Sequence, residues 1–216
     1  MFLSRLTLNP LSADARRDLA DAYQMHRTLS RVYAKSDADP VPRFLWRLER
    51  GAATASAPVV LVQTATPGRW EGLTALPGYL VLDQCDTDKP VALDTLVVDG
   101  RRCRFRLRAN PAVKRQGRRS GLHDEAAQLA WLQRQADRSG FTLLGADVSQ
   151  RERLQVRQPR DGRHITVDAV QYDGMLTVTD ATLLRPALLA GIGPAKSLGM
   201  GLLSLPLSRH HGDVLS

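Results

Sequence analysis

The chain has 216 residues, 43% of them hydrophobic, with 30 Lys and Arg against 22 Asp and Glu, a formal charge of +8 and a pI near 10.2. That is enough apolar material for one large or two small globular domains, and the charge favours a polyanionic partner, since each phosphate met by Lys or Arg releases a counterion. Cys85 and Cys103 have neither CxxC spacing nor nearby histidines, which argues against a disulfide framework or a zinc site, and no apolar run approaches the roughly 18 residues of a membrane span.

Arg5, Pro10 and Asp14 come too early for the apolar stretch of a signal peptide, so a cytoplasmic protein is expected. Phe2–Leu8 alternates apolar and polar residues as a strand does, and Asn9-Pro10 ends it. Ser12 is placed to cap a helix running to about Ala34, with Leu19, Ala22, Leu29 and Val32 as its buried stripe. Phe44–Leu48 and Val59–Gln63 read as strands, Arg69–Leu76 as a short helix, and Tyr79–Leu82 as a strand. That order is βαββαβ, the ferredoxin-like unit.

A connector rich in aspartate follows, with Asp83, Asp86, Asp88, Asp94 and Asp99. Arg101 to Arg119 then holds nine basic residues and no acid, so charge is segregated along the chain. Beyond it come a strand at Cys103–Leu107, a helix at His123–Arg138 and strand segments at Phe141–Leu144 and Leu154–Val156 beside a hairpin. Leu176–Val178 is a further strand, Ala181–Leu189 the last helix and Leu202–Leu207 the last strand. The expected class is therefore α+β, with two tandem ferredoxin-like (RRM-like) domains at 1–90 and 91–216. The tail from Ser208, with His210 and His211, is expected to fray.

Tyr23, His26, Ser30 and Tyr33 recur at i, i+3, i+7 and i+10, one stripe of the first helix, with Arg27 and Arg31 alongside. An imidazole titrates near neutrality and can move a proton at working pH. Two readings stand on the residues alone: a histidine packed among tyrosines, or an acid–base group beside guanidiniums, suited to phosphoryl chemistry.

Arg102, Arg104, Arg106 and Arg108 share one face of a strictly alternating strand. Lys114, Arg115, Arg118 and Arg119 extend the patch through an expected loop. Arg151, Arg153, Arg157, Arg160 and Arg163 surround the hairpin turn at Pro159–Gly162. Arginine donates bidentately to phosphate and guanine. Only 5% of residues are aromatic, so a structured stem suits this surface better than a single strand bound by base stacking. Trp46, Trp70 and Trp131 are assigned to the core, and His123 and His164 to structural or incidental roles.

Between the last helix and strand lies Gly191-Ile-Gly-Pro-Ala-Lys-Ser-Leu-Gly-Met-Gly-Leu-Leu-Ser-Leu205. It is no P-loop, because Ala195 precedes the lysine and the loop runs from helix to strand. It is no dinucleotide fingerprint, because Lys196 takes the place of the third glycine. A glycine C-cap feeding a buried strand and an anion-binding nest around Lys196 both remain open.

This stretch resembles the C-terminal glycine-rich motif of Cas6-superfamily CRISPR RNA endonucleases, and is most similar to the CasE family of the type I-E Cascade complex. Met1-Phe-Leu-Ser-Arg-Leu6, Tyr23 with His26, and Leu76-Pro-Gly-Tyr79 carry the same resemblance through the chain. The resemblance implies two tandem ferredoxin-like domains and cleavage of the repeat hairpin of precursor CRISPR RNA without a metal or other cofactor. His26 and Tyr23 would manage the protons and Arg31 would hold the scissile phosphate. Arg27, the basic strand, the basic hairpin and the loop residues Gly191, Gly193, Lys196, Gly199 and Gly201 would bind RNA. Implied partners are the repeat hairpin, the mature crRNA and other Cascade subunits, with no membrane. A non-catalytic RNA-binding subunit of the same fold is the main alternative; an unrelated ferredoxin-like module binding a nucleotide or a protein is a more distant one.

Overall fold

Phe2–Thr7 (β1) places Ser4, Leu6 and Thr7 in the interior and leaves Arg5 outside. The computed structural model describes residues 1–34, 40–49, 57–115, 118–157 and 164–206, apart from the side chains at 115, 118, 119, 157, 164 and 165. After β1 come two helices rather than one, Ala13–Ala20 (α1) and Ala22–Tyr33 (α2). Asp21 breaks the expected single helix. Its backbone is extended (φ −134°, ψ 109°), its N–H closes α1 on the Arg17 carbonyl, and its carboxylate accepts the Tyr23 N–H at 2.8 Å. Aspartate is a strong N-cap because its side chain satisfies an orphan N–H of the first turn. Ser12, by contrast, makes no side-chain cap bond.

Strands Phe44–Glu49 (β2) and Val59–Thr64 (β3) fall where expected, and a short helix at Glu71–Thr74 (α3) follows. The expected strand at Tyr79–Leu82 is reduced to one bridge, Leu80 to Leu8, ahead of a 3₁₀ turn at Leu82–Gln84. The fourth strand is instead Asp86–Pro90 (β4), inside the stretch expected to be an acidic connector. It is an edge strand and largely exposed, so no apolar alternation marks it. The sheet order is β2-β3-β1-β4, antiparallel throughout.

The second half contains Leu93–Leu96 (α4), Arg102–Ala109 (β5), a ribbon of Ala112–Arg115 (β6) with Arg118–Gly121 (β7), and helix Glu125–Arg138 (α5). Phe141–Arg157 (β8) and His164–Val178 (β9) form one long hairpin, then come Ala181–Ala190 (α6) and Leu203–Ser204 (β10). The short strand segments expected at 141–144, 154–156 and 176–178 are parts of that hairpin. Register shifts between Leu143 and Gly145 and between Val148 and Gln150 had disguised its continuity by breaking the period of two. The basic stretch at 112–121 is a ribbon rather than a loop. The second sheet runs β10-β5-β9-β8, also antiparallel.

Each sheet has its own apolar core. One gathers buried residues from Leu6 to Tyr79, the other from Val91 to Leu205. The tryptophans are core residues, with Trp46 and Trp131 each 3% exposed and Trp70 9%. The halves meet through β2. Arg47, 2% exposed, donates from Nη1 to the carbonyls of Leu202 at 2.9 Å and Arg106 at 3.2 Å, and pairs with Glu49. Gln63 on β3 donates to the Leu188 carbonyl at 2.7 Å. Among the described residues no helix is long and apolar enough to cross a membrane.

Candidate functional site

The Asp21 cap starts α2 one residue before Tyr23, so Tyr23 lies in the first turn and His26 one turn on. Both are partly exposed, whereas Met25, Thr28, Leu29, Val32 and Tyr33 turn inward. Arg27 and Arg31 are exposed. The helix therefore presents an imidazole, a phenol and two guanidiniums at one surface. Ser30 belongs to the helix itself, its hydroxyl donating to the His26 carbonyl at 2.7 Å.

The His26 ring stacks on Phe44, the first residue of β2, with centroids 4.9 Å apart and planes 19° apart. Tyr33 meets the same phenylalanine at 5.2 Å. Nδ1 of His26 is enclosed and has no hydrogen-bond partner among the described residues. Burial lowers the pKa of His26 below the ordinary 6.5, because an enclosed imidazolium would lose its hydration. At neutral pH the ring is uncharged and free to accept a proton. Burial raises the Tyr33 phenol, and among the described residues its hydroxyl is likewise enclosed without a partner.

The basic strand divides in two. Arg102 and Arg104 are exposed. Arg106 binds Asp173 at 2.6 Å and Glu49 at 3.0 Å, and Arg108, 8% exposed, binds Glu152 at 2.6 Å. All four were expected to face phosphate; in the structure Arg106 and Arg108 instead meet carboxylates. Acids far away in sequence neutralise them, and at Arg108 burial demands such a partner. Asp173 is held below the usual carboxylate range: burial works to raise it, but hydrogen bonds from Arg106, Ser149 and Gln171 outweigh that. A cleft of about 710 Å³ opens beside Arg104, Arg106, Asp173 and Met175.

The glycine-rich loop returns to α2 and β2, against which its turn Lys196–Leu198 packs. Gly191, Gly193, Gly199 and Gly201 all have positive φ. A Cβ on Gly191 would lie 2.7 Å from Leu45, and one on Gly199 2.9 Å from Trp46. One on Gly193 would lie 3.0 Å from Trp131, and one on Gly201 2.9 Å from the Ile192 carbonyl. The close approach these glycines allow is thus to protein groups, and Gly191 is the C-cap of α6. Lys196 donates to the Gly193 carbonyl at 2.7 Å and lines a polar cleft of about 580 Å³ with exposed Lys114, joining two residues that sequence reading had placed in separate motifs.

On the hairpin, Arg153 is exposed and binds Asp168 at 3.1 Å, and Arg151 pairs with Glu125. Arg115, Arg118, Arg119 and Arg157 have strand backbone, while Arg160 and Arg163 lie outside the described residues, as do His210 and His211. Exposed His123 stands 3.5 Å from Asp168. Tyr79, part of the Leu-Pro-Gly-Tyr resemblance, is a core residue whose hydroxyl donates to buried Asp18 at 2.8 Å. Sequence reading missed the partner role of Phe44 and the acids Glu49, Glu152 and Asp173; nothing local to those residues signals either.

A family model described as "CRISPR associated protein" matches residues 1–206. The chain belongs to that family. The CRISPR-associated endoribonuclease Cse3 of Thermus thermophilus is 40% identical, the match covering 95% of this chain and 99% of the relative. The CRISPR system Cascade subunit CasE of Escherichia coli K12 is 29% identical, covering 95% and 98%. Among solved structures, Thermus thermophilus Cse3 bound to an RNA representing a pre-cleavage complex superposes with a TM-score of 0.84 at 40% identity, covering 95% of this chain and 98% of that one. This CRISPR-associated chain thus shares its mixed helix-and-strand, antiparallel-sheet fold with those relatives over nearly its whole length.

Proposed function

We propose that this protein is an endoribonuclease that cuts the repeat hairpin of precursor CRISPR RNA and keeps the mature crRNA within a Cascade complex in the cytoplasm. The observation that carries this reading is the surface of α2, where a neutral, half-buried His26 stands with Tyr23, Arg27 and Arg31. It occurs in a chain whose relative is named an endoribonuclease and was solved on a pre-cleavage RNA.

In the proposed reaction the ribose 2′-OH attacks the adjacent phosphorus and the 5′-oxygen leaves. The products are a 2′,3′-cyclic phosphate and a 5′-OH, and no metal ion takes part. His26 and Tyr23 move the protons, Arg31 stabilises charge on the phosphate, and the exposed Arg27, Arg102, Arg104, Lys114 and Arg153 hold the stem. Two ferredoxin-like domains, 1–90 and 91–216, form the frame. In support, the first half strings its elements in βαββαβ order, as does the second once α4 and the β6–β7 ribbon are set aside; each sheet has the same strand permutation, and each has its own core.

A second reading has an observation of its own. The stack on Phe44 and the enclosed Nδ1 also suit a histidine that only packs, in an RNA-binding subunit without activity. Cleavage of a type I-E repeat hairpin in EDTA, beside the same RNA with 2′-deoxyribose at the cut nucleotide, separates the two. One cut that the deoxy substitution blocks supports the nuclease; tight binding without a cut supports the binding subunit.

A further inference from the structure

We infer that Phe44 is a positioning residue for His26, its ring face setting the orientation of the imidazole that the proposed cleavage uses. The inference rests on the reading of His26 as a proton-transferring group. An imidazole in an acid–base site is ordinarily aimed by a hydrogen bond to its second nitrogen, which also fixes the tautomer. Among the described residues His26 has no such bond: Nδ1 is enclosed and unpartnered, and the Ser30 hydroxyl holds the His26 carbonyl rather than its ring. The near-parallel contact with Phe44 takes that place. It leaves rotation about the last side-chain torsion as the freedom that a flat apolar face has to restrict.

Phe44 is built for such a task. It is 5% exposed and begins β2, where it pairs with Thr64 of β3. It is braced by Tyr33, whose ring in turn meets Trp70 edge-on at 6.0 Å. The next three residues of the same strand carry the junction with the second half: Leu45 stands against Gly191, Trp46 against Gly199, and Arg47 binds the Leu202 carbonyl. One strand thus fixes both the imidazole and the glycine-rich loop that packs on the imidazole's helix.

The test measures single-turnover cleavage of the repeat hairpin and, separately, affinity for its uncleavable 2′-deoxy form. It compares the native chain with His26→Ala, Phe44→Leu and Phe44→Tyr. Phe44→Leu is expected to slow cleavage about 10- to 100-fold, as for a misplaced acid–base group, with affinity within about threefold. Phe44→Tyr, which keeps the ring face, restores most of the rate. The imidazole C–H resonances of His26 shift in Phe44→Leu as the ring current above them is lost. A folded Phe44→Leu variant cleaving at the native rate overturns the inference, as does a proportional loss of rate and affinity. Should Phe44→Leu fail to fold, Phe44→Met, of similar volume but with an unbranched side chain that adapts to an irregular gap, carries the same comparison. Continued cleavage by His26→Ala overturns the underlying functional reading instead, so the two failures are distinct.

Discussion

The six-membered ring of Trp46 closes over Gly199, leaving 2.9 Å to the place where a methyl group on that glycine would sit. Gly199 also has φ +78°, costly for any residue with a Cβ. Gly100 has nearly the same φ, +79°, but open space around it. Gly100→Ala should therefore destabilise by about 1 kcal/mol, the backbone cost alone, and Gly199→Ala by about 2–3 kcal/mol. Urea unfolding of the two variants reads the difference; equal losses would mean that Trp46 moves aside freely.

Arg47 is the buried cation at the junction of the halves. Burial lowers its pKa, while Glu49 beside it works in the opposite direction. Arg47→Ala would leave the Leu202 and Arg106 carbonyls without this donor and Glu49 without its buried partner. A loss of about 3 kcal/mol or more is expected. Lysine, a point charge lacking the planar fork, should recover little of it. Equilibrium unfolding of both variants checks this.

The division of the basic strand gives opposite outcomes for residues four apart. Arg104→Ala should reduce the salt dependence of RNA affinity by about one unit of slope and leave stability unchanged. Arg108→Ala should cost about 2 kcal/mol of stability by removing a buried, charge-assisted hydrogen bond to Glu152, with little change in slope. Affinity titrations across a range of KCl concentrations, paired with thermal unfolding, distinguish them. A slope change at Arg108 would mean that its pair with Glu152 opens to admit phosphate.

His26 links stability to pH. Its folded pKa lies below the ordinary 6.5, so between the two values the unfolded chain binds more protons. The associated stability is complete above pH 6.5 and is lost as pH falls through the folded pKa. His26→Gln should show a shallower decline in unfolding midpoint from pH 7.5 to 5 than the native chain. An identical decline would assign the acid sensitivity to other groups.

Much of the fold was legible because interior strands and helices must show their buried faces in sequence. The strands at Phe44 and Val59, the helix ending at Arg138 and the last helix are examples. Asp21 was not read as a cap, although aspartate is a favoured N-cap residue, because the apolar stripe from Leu19 to Val32 runs unbroken past it. β4 could not be read, because an edge strand needs few buried side chains and its residues look like a connector. For the site, periodicity placed Tyr23 and His26 together on the helix. It could not supply the stack with Phe44 or the acids on Arg106 and Arg108, because those contacts arise only when distant strands meet.

The outer rim of the first sheet is guarded against self-association. β4 ends that sheet with Asp86 and Lys89 exposed and with Pro90, which has no N–H to offer. A bare strand edge is a template on which a neighbouring chain can extend the ladder into aggregate; charge and proline make that extension unfavourable. For a chain proposed to join a multisubunit particle at high local concentration, this rim disfavours strand addition by another subunit and directs docking to side-chain surfaces elsewhere.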